Sequence, residues 1–165
     1  MKSIINYIIE KLKINSQSKI NQNNFTDEEL RKDYNEVEYA ITKAEKQAFA
    51  QKYGIQTNKY RDIQLVILDR LRENRQDKKK FDKDDITDFN RFDIKDKEYI
   101  DYLDQEPIEF IETLFEYYED QAKKRNLLKW ANVVNQRNIG YRISIADKYL
   151  LKKYNTLKTY LENAK

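Results

Sequence analysis

Cysteine and histidine are both absent from this sequence of 165 residues. Most protein zinc sites, and the usual Cys/His and Ser/His nucleophilic pairs, require one of these two residues. Those catalytic and metal centres are therefore excluded, and we expect a protein that is not an enzyme and uses no metal and no cofactor. The lack of cysteine also excludes a disulfide framework and fits an intracellular protein.

Proline and glycine are nearly absent, with one Pro and two Gly in the whole chain. Little therefore interrupts the backbone, and long helices are the default expectation. No apolar run approaches the roughly 18–20 residues that span a bilayer, so we expect no membrane span. The N-terminus lacks the apolar run and cleavage site of a secretory signal, which indicates a protein that is not secreted.

Charged residues make up 37% of the chain, and the hydrophobic fraction is 39%, below the usual range of about 45–50%. Thirteen Tyr, seven Phe and one Trp nevertheless argue against a disordered chain. A tyrosine ring can cover a core while its hydroxyl stays in water. These features predict a thin core under a very polar surface, completed by a partner.

Charge is distributed unevenly along the chain, although the net charge is only +3. Residues 1–81 carry about +5, residues 82–120 about −11, and residues 121–165 about +9. Asymmetry of this kind bears on partners rather than on the fold. The acidic middle and the basic C-terminal third are therefore both candidate interaction surfaces.

An amphipathic helix is predicted over residues 1–14, followed by a polar linker over 15–25. Its apolar stripe is a candidate partner-docking surface and consists of Ile4, Ile5, Ile8, Ile9 and Leu12. Residues 3–15, SIINYIIEKLKIN, resemble the short leader of small proteins of tailed phages that infect Bacteroidetes. The resemblance covers roughly 20 of the 165 residues and implies a phage-like origin and a docking or targeting segment. An ordinary first helix packed on its own domain is the alternative.

A single helical domain is predicted over residues 26–165. Thr26 to Glu29 reads as a capping box that opens a helix running to Gly54. Apolar residues then recur at steps of four and three, as in a heptad seam. We expect this helix and the next, 57–75, to form an antiparallel hairpin. The seam residues are Leu30, Tyr34, Val37, Ile41, Ala44 and Ala48.

Further helices are predicted after a charged connector over residues 76–95. They cover about 96–104, the stretch 107–137 that opens at Pro107, and about Ser144 to Asn163. Residues 141–145 also alternate like a strand, and that alternative stays open. The predicted fold is an all-α, irregular bundle of five to seven helices.

Two acidic patterns resemble functional sites, although we expect neither to bind a metal or to catalyse a reaction. The first resembles a calcium loop but lacks the glycine and the twelfth-position glutamate that such a loop needs; it comprises Asp82, Asp84, Asp85 and Asp88. The second forms one acidic helix face, read either as a solvated face or as carboxylates for nuclease or glycosidase chemistry; it comprises Glu109, Glu112, Glu116 and Glu119. The acidic middle as a whole is either solubilising or an imitation of DNA.

The basic third interleaves cations with aromatic residues, a pattern that suits phosphate contact and base stacking. The alternative is that the aromatic residues are core and the lysines are solvated. The candidate nucleic-acid contacts are Lys123, Lys124, Arg125, Arg142, Lys148 and Lys152.

The sequence as a whole favours a non-catalytic structural or assembly component of a larger complex, such as a phage virion or similar machine, that binds protein partners through helical faces. A nucleic-acid-binding accessory protein that uses the basic third is the first alternative. An inhibitor that presents its acidic face to a nucleic-acid enzyme is the second. A second copy of the chain is a further candidate partner.

Overall fold

Helices form all the regular secondary structure in the residues that the computed structural model describes, 24–56, 59–92, 96–134 and 142–164. No strand occurs in these ranges, which confirms the all-α class. The elements are α1 (Asp27–Val37), α2 (Lys43–Lys52), α3 (Tyr60–Gln76), α4 (Lys83–Asn90), α5 (Asp96–Leu103), α6 (Ile108–Lys124), a 3-10 helix (Leu128–Val133) and α7 (Ile145–Asn163).

The contacts divide the chain into two compact units that meet in sequence between Gln105 and Glu106. Unit 1 contains α1 to α5, and unit 2 contains α6, the 3-10 helix and α7. The sequence patterns predict one domain over residues 26–165, whereas the contacts divide these residues between two units. Each unit is described separately below.

The prediction of one long helix from Thr26 to Gly54 is wrong, because two helices occupy that stretch. α1 begins where expected, with the Thr26 hydroxyl accepting from the Glu29 amide at 3.2 Å, and ends at Val37. α2 starts after Thr42, whose hydroxyl accepts from the Glu45 amide at 3.1 Å. Thr42 and Glu45 form a reciprocal capping box, which starts a new helix where the heptad pattern predicts an uninterrupted one.

The predicted seam therefore extends only through α1. Leu30, Tyr34 and Val37 are buried. Ile41 lies in the connection between the helices and is 86% exposed. The expected burial of the remaining seam residues is also wrong, because the new helix start rotates them toward solvent; these residues are Ala44 and Ala48.

The end of α2 follows the prediction. Gly54 adopts a positive φ of 68°, a backbone conformation that glycine takes at little cost. The Ile55 amide donates to the Ala50 carbonyl at 3.0 Å, and the Gly54 amide donates to the Gln51 carbonyl at 3.1 Å. These two bonds form a Schellman ending.

α1 packs against α3 in an antiparallel arrangement. Near the C-terminal end of α1, the Tyr34 backbone carbonyl accepts from the side-chain Nε2 of Gln64 at 2.9 Å. Near its N-terminal end, Asp27 Oδ1 accepts from Asn74 Nδ2 at 2.9 Å. The expected hairpin pairing therefore holds for α1. Its core partners on α3 are fully buried and comprise Ile63, Val66, Ile67 and Leu68.

The connector predicted over 76–95 contains a helix and is tied to the body of unit 1. α4 begins at a capping box, in which Asp82 and Asp85 each accept from the other's amide at 3.0 Å. Lys78 Nζ lies 2.9 Å from Asp27 Oδ2 and 2.7 Å from Asp85 Oδ1. Ion pairing therefore fixes a segment whose composition resembles a solvated loop.

In unit 2, α6 ends at an asparagine. Asn126 has a φ of 56°, and the Leu127 amide donates to the Ala122 carbonyl at 2.8 Å. α7 begins as predicted, because the Ser144 hydroxyl accepts from the Asp147 amide at 3.1 Å. The strand alternative for 141–145 finds no support from Arg142 onward, while Tyr141 lies outside the described residues.

No helix within the described ranges combines the length and the apolar composition that a bilayer span requires.

Candidate partner-binding groove

α6 and α7 pack side by side and, with the 3-10 helix and its flanking residues, form the core of unit 2. Phe115 on α6 stacks on Tyr154 on α7, with ring centroids 5.4 Å apart and ring planes 23° from parallel. The buried members of this core are Ala122, Leu127, Ala131, Val134, Ile143, Leu151 and Tyr154. Since each helix contributes one apolar stripe, the residues beside the stripes border the line along which the helices meet.

A groove of about 460 Å³ lies along one side of this helix pair. Its lining comes from both helices: Glu112, Phe115, Glu116 and Glu119 of α6, and Lys158, Leu161 and Glu162 of α7. The α6 residues recur at steps of three, one and three, and those of α7 at steps of three and one. Both spacings place their side chains on a single helix face.

The groove joins an apolar surface to negative charge. Phe115 and Leu161 are partly buried and supply the apolar surface. The lining contains four carboxylates and one ammonium group, that of Lys158. Glu119 also pairs with Lys123, whose Nζ lies 3.2 Å from Glu119 Oε1. The remaining excess of carboxylates makes the groove suited to a ligand that carries both apolar and basic side chains.

The candidate nucleic-acid residues do not all present unpaired charge. Lys123, Lys124 and Arg125 pair with Glu119, Asp120 and Asp147, respectively; the distances are 3.2, 2.9 and 2.9 Å. These carboxylates reduce the positive potential that a phosphate backbone would meet.

The other three candidates differ in their surroundings. Arg142 is exposed and Lys148 is half-buried. Lys152 Nζ lies 6.0 Å from the centre of the Tyr149 ring, and that ring is 57% exposed. Tyr154, which the basic–aromatic pattern includes, belongs to the core instead.

Three of the four aspartates in the pattern that resembles a calcium loop serve the structure of unit 1. Asp82 and Asp85 cap α4. Asp88 Oδ2 lies 2.8 Å from a guanidinium nitrogen of Arg31. Within the described ranges, no group of three or more carboxylates is placed to hold a metal ion. The acidic face of α6 is divided, because Glu112, Glu116 and Glu119 line the groove and Glu109 does not.

The predicted docking stripe of residues 1–14 lies outside the described residues. The described part begins at Asn24. Phe25, assigned by sequence to the end of the linker, packs on unit 1, its ring centroid 5.2 Å from that of Tyr53. Lys52 Nζ and the Arg70 guanidinium each lie 5.3 Å from the centre of the Phe25 ring.

Sequence reasoning missed the half of the groove that α7 supplies. Lys158, Leu161 and Glu162 share one face of α7, and their spacing in the sequence is enough to predict this. What the sequence did not show is that this face lies beside Glu112 and Glu116, because that requires the pairing of α6 with α7.

Comparison with known proteins gives no relative on which to base a function. No protein-family model matches the chain, and no curated protein or solved structure matches it.

Proposed function

We propose that this protein is a non-catalytic assembly component that holds a partner chain by a basic amphipathic helix, bound in the groove between α6 and α7. The observation that carries the proposal is the groove itself, with Phe115 and Leu161 between carboxylates. Helices commonly bind grooves by laying an apolar stripe along them. The resemblance of residues 3–15 to phage-protein leaders supports a virion or a similar machine as the assembly.

Charge in the groove favours a cationic helix over a neutral one. Glu112, Glu116 and Glu162 would attract lysines that flank the apolar stripe of the incoming helix. Electrostatic complementarity of this kind contributes mainly to association rate and specificity. The apolar contact contributes affinity, at about 25 cal/mol per Å² of buried apolar area before the cost of ordering.

The two alternative functions fit these surfaces less well. The pairing of Lys123, Lys124 and Arg125 with acids weighs against a nucleic-acid contact through those residues. An imitation of DNA would need carboxylates alone, whereas Phe115 and Leu161 favour a partner with apolar side chains.

A synthetic helix-forming peptide with a leucine stripe and lysines elsewhere tests the proposal. We expect fluorescence anisotropy to show that the full chain binds it. The double variant Glu112→Lys/Glu116→Lys should bind at least about tenfold more weakly, because like charges would then face each other. Glu109→Lys/Asp120→Lys reverses two charges on the same helix outside the groove lining and should bind as the wild type does.

Two results would contradict the proposal. One is equal binding of the peptide by both double variants. The other is equal binding of a peptide in which glutamates replace the lysines, since the acidic groove should reject it.

A further inference from the structure

The chain contains a segment whose chemistry matches the groove. As the predicted helix, residues 3–13 would place five large aliphatic side chains on one stripe, with Lys2, Lys11 and Lys13 off that stripe. The groove offers the complementary pattern, with Phe115 and Leu161 beside an excess of carboxylates. No other partner has to be assumed to supply a basic amphipathic helix.

We propose that residues 1–14 of a second copy occupy the α6/α7 groove, so that copies of this chain assemble head to tail. This inference rests on the proposed function and names the partner helix. The aliphatic stripe, with Ile5 and Ile9 at its centre, would contact Phe115 and Leu161. The lysines would face Glu112, Glu116 and Glu162.

The dimensions of the two surfaces agree. The lining of α6 runs from Glu112 to Glu119, about 10 Å along the helix at 1.5 Å per residue. A helix over residues 3–13 would be about 15 Å long, which covers the groove along its length. Its five aliphatic side chains need burial that a helix so short cannot provide alone.

The length of chain between Phe25 and the leader, as we call residues 1–14, allows the leader to reach a neighbouring copy. Phe25 is held on unit 1, where its carbonyl accepts from Asn74 Nδ2 at 3.4 Å. The intervening residues 15–24 are polar except for Ile20, and a fully extended chain of this length spans about 30 Å. Among the described residues, the groove is lined by α6 and α7 of one chain, so each copy presents both a groove and a leader.

Such a contact joins two different surfaces and is therefore heterologous. Contacts of this type generate rings when the rotation closes and filaments when it does not. Each unclosed chain of copies would retain an open groove at one end and an unbound leader at the other. This asymmetry makes the proposal testable by mixing two defective chains.

Two full-length variants provide the test. The leader variant, Ile5→Asp/Ile9→Asp, keeps an intact groove, and the groove variant, Glu112→Lys/Glu116→Lys, keeps an intact leader. By sedimentation velocity and light scattering, we expect the wild type to associate as its concentration rises. Each variant alone should associate at least about tenfold more weakly. An equimolar mixture of the two should form a one-to-one complex.

Matched controls carry the same charge changes elsewhere. Asn6→Asp/Asn15→Asp, in the leader and at the first linker residue, and Glu109→Lys/Asp120→Lys on α6 should associate as the wild type does. Circular dichroism melting checks that every variant is folded. If the groove variant has lost its structure, Glu112→Gln/Glu116→Gln replaces it, and this near-isosteric change should still weaken association.

Several results would overturn the inference. They are a wild type that stays monomeric at every concentration, a mixture of variants that fails to associate, and association that survives the leader variant but not the groove variant. The last would assign the groove to another surface of the second copy. Binding of the leucine–lysine peptide to a chain that stays monomeric would leave the proposed function standing and remove only this inference.

Discussion

At the residue scale, two aspartates beside Arg31 have pKa values shifted in opposite directions. Burial raises the pKa of Asp88 above the ordinary 3.8, and the hydrogen bond and charge of Arg31 offset this only in part. Burial also acts to raise the pKa of Asp27. Hydrogen bonds from Asn74 and Lys78, with the charge of Lys78, outweigh that effect and leave the pKa of Asp27 below 3.8.

Opposite shifts predict opposite pH dependences of stability. Asp27 stabilises the fold above pH 3.8, and this contribution is lost as pH falls through its lower folded-state pKa. Native Asp88 takes up its proton at a higher pH than the unfolded chain does, so its contribution becomes more favourable as pH falls toward 3.8.

Urea unfolding of Asp27→Asn and Asp88→Asn, measured from about pH 6 to about pH 3, tests this expectation. The stability advantage of the wild type over Asp27→Asn should shrink as the pH drops below 3.8. The difference between the wild type and Asp88→Asn should move in favour of the wild type as pH falls toward 3.8. Parallel curves for the two variants would show that the ion pairs of Arg31 and Lys78 do not form as described.

At the element scale, the break between α1 and α2 decides which apolar residues stabilise unit 1. Val37 closes the apolar stripe of α1 and is fully buried, and Ile41, four residues later, is 86% exposed. In one continuous helix the two would share a face. The capping box of Thr42 and Glu45 starts a new helix after Ile41. The rest of the predicted seam therefore lies on a different helix from Val37.

The same substitution at these two positions separates the broken helix from a continuous one. Val37→Asp buries an unpaired carboxylate and should cost about 4 kcal/mol or more, a large part of the roughly 5–15 kcal/mol that stabilises a typical domain. Ile41→Asp changes an exposed side chain and should stay within about 0.5 kcal/mol of the wild type. Thermal melting followed by circular dichroism measures both. A large loss of stability for Ile41→Asp would show instead that α1 continues through Ile41 and buries it.

At the scale of the whole molecule, the chain has two compact units, each with a core of its own. The core of unit 1 is built on α3, and that of unit 2 lies between α6, the 3-10 helix and α7. The single tryptophan of the chain, Trp130, packs against the core of unit 2. Its fluorescence therefore reports on the core of unit 2.

Separate cores should make the effects of core substitutions local. We expect Leu151→Ala, which truncates a fully buried side chain of unit 2, to lower the stability seen by Trp130 fluorescence by about 2–5 kcal/mol. Val37→Asp should change far-UV circular dichroism while leaving the fluorescence transition near its wild-type midpoint. Equal shifts of both signals in both variants would show that the two units unfold as one.

The sequence by itself determined the helical class and most of the local boundaries. Scarce glycine and proline left few breaks, and Thr26, Gly54 and Ser144 cap or end helices through bonds made within a few residues of themselves. Such signals are local, so they can be read without a fold. The capping box at Thr42 is an equally local signal, but the heptad pattern predicted one helix that continues through it.

The tertiary structure alone decided which surfaces came together. Asp85 and Asp88 belong to a sequence pattern that resembles a calcium loop, and only the packing of α4 pairs them with Lys78 and Arg31. The groove likewise needs Glu112 and Leu161 side by side, although 48 residues separate them in sequence. Helix periodicity specifies the face that each residue occupies, but the partner of that face follows from packing between segments distant in the chain.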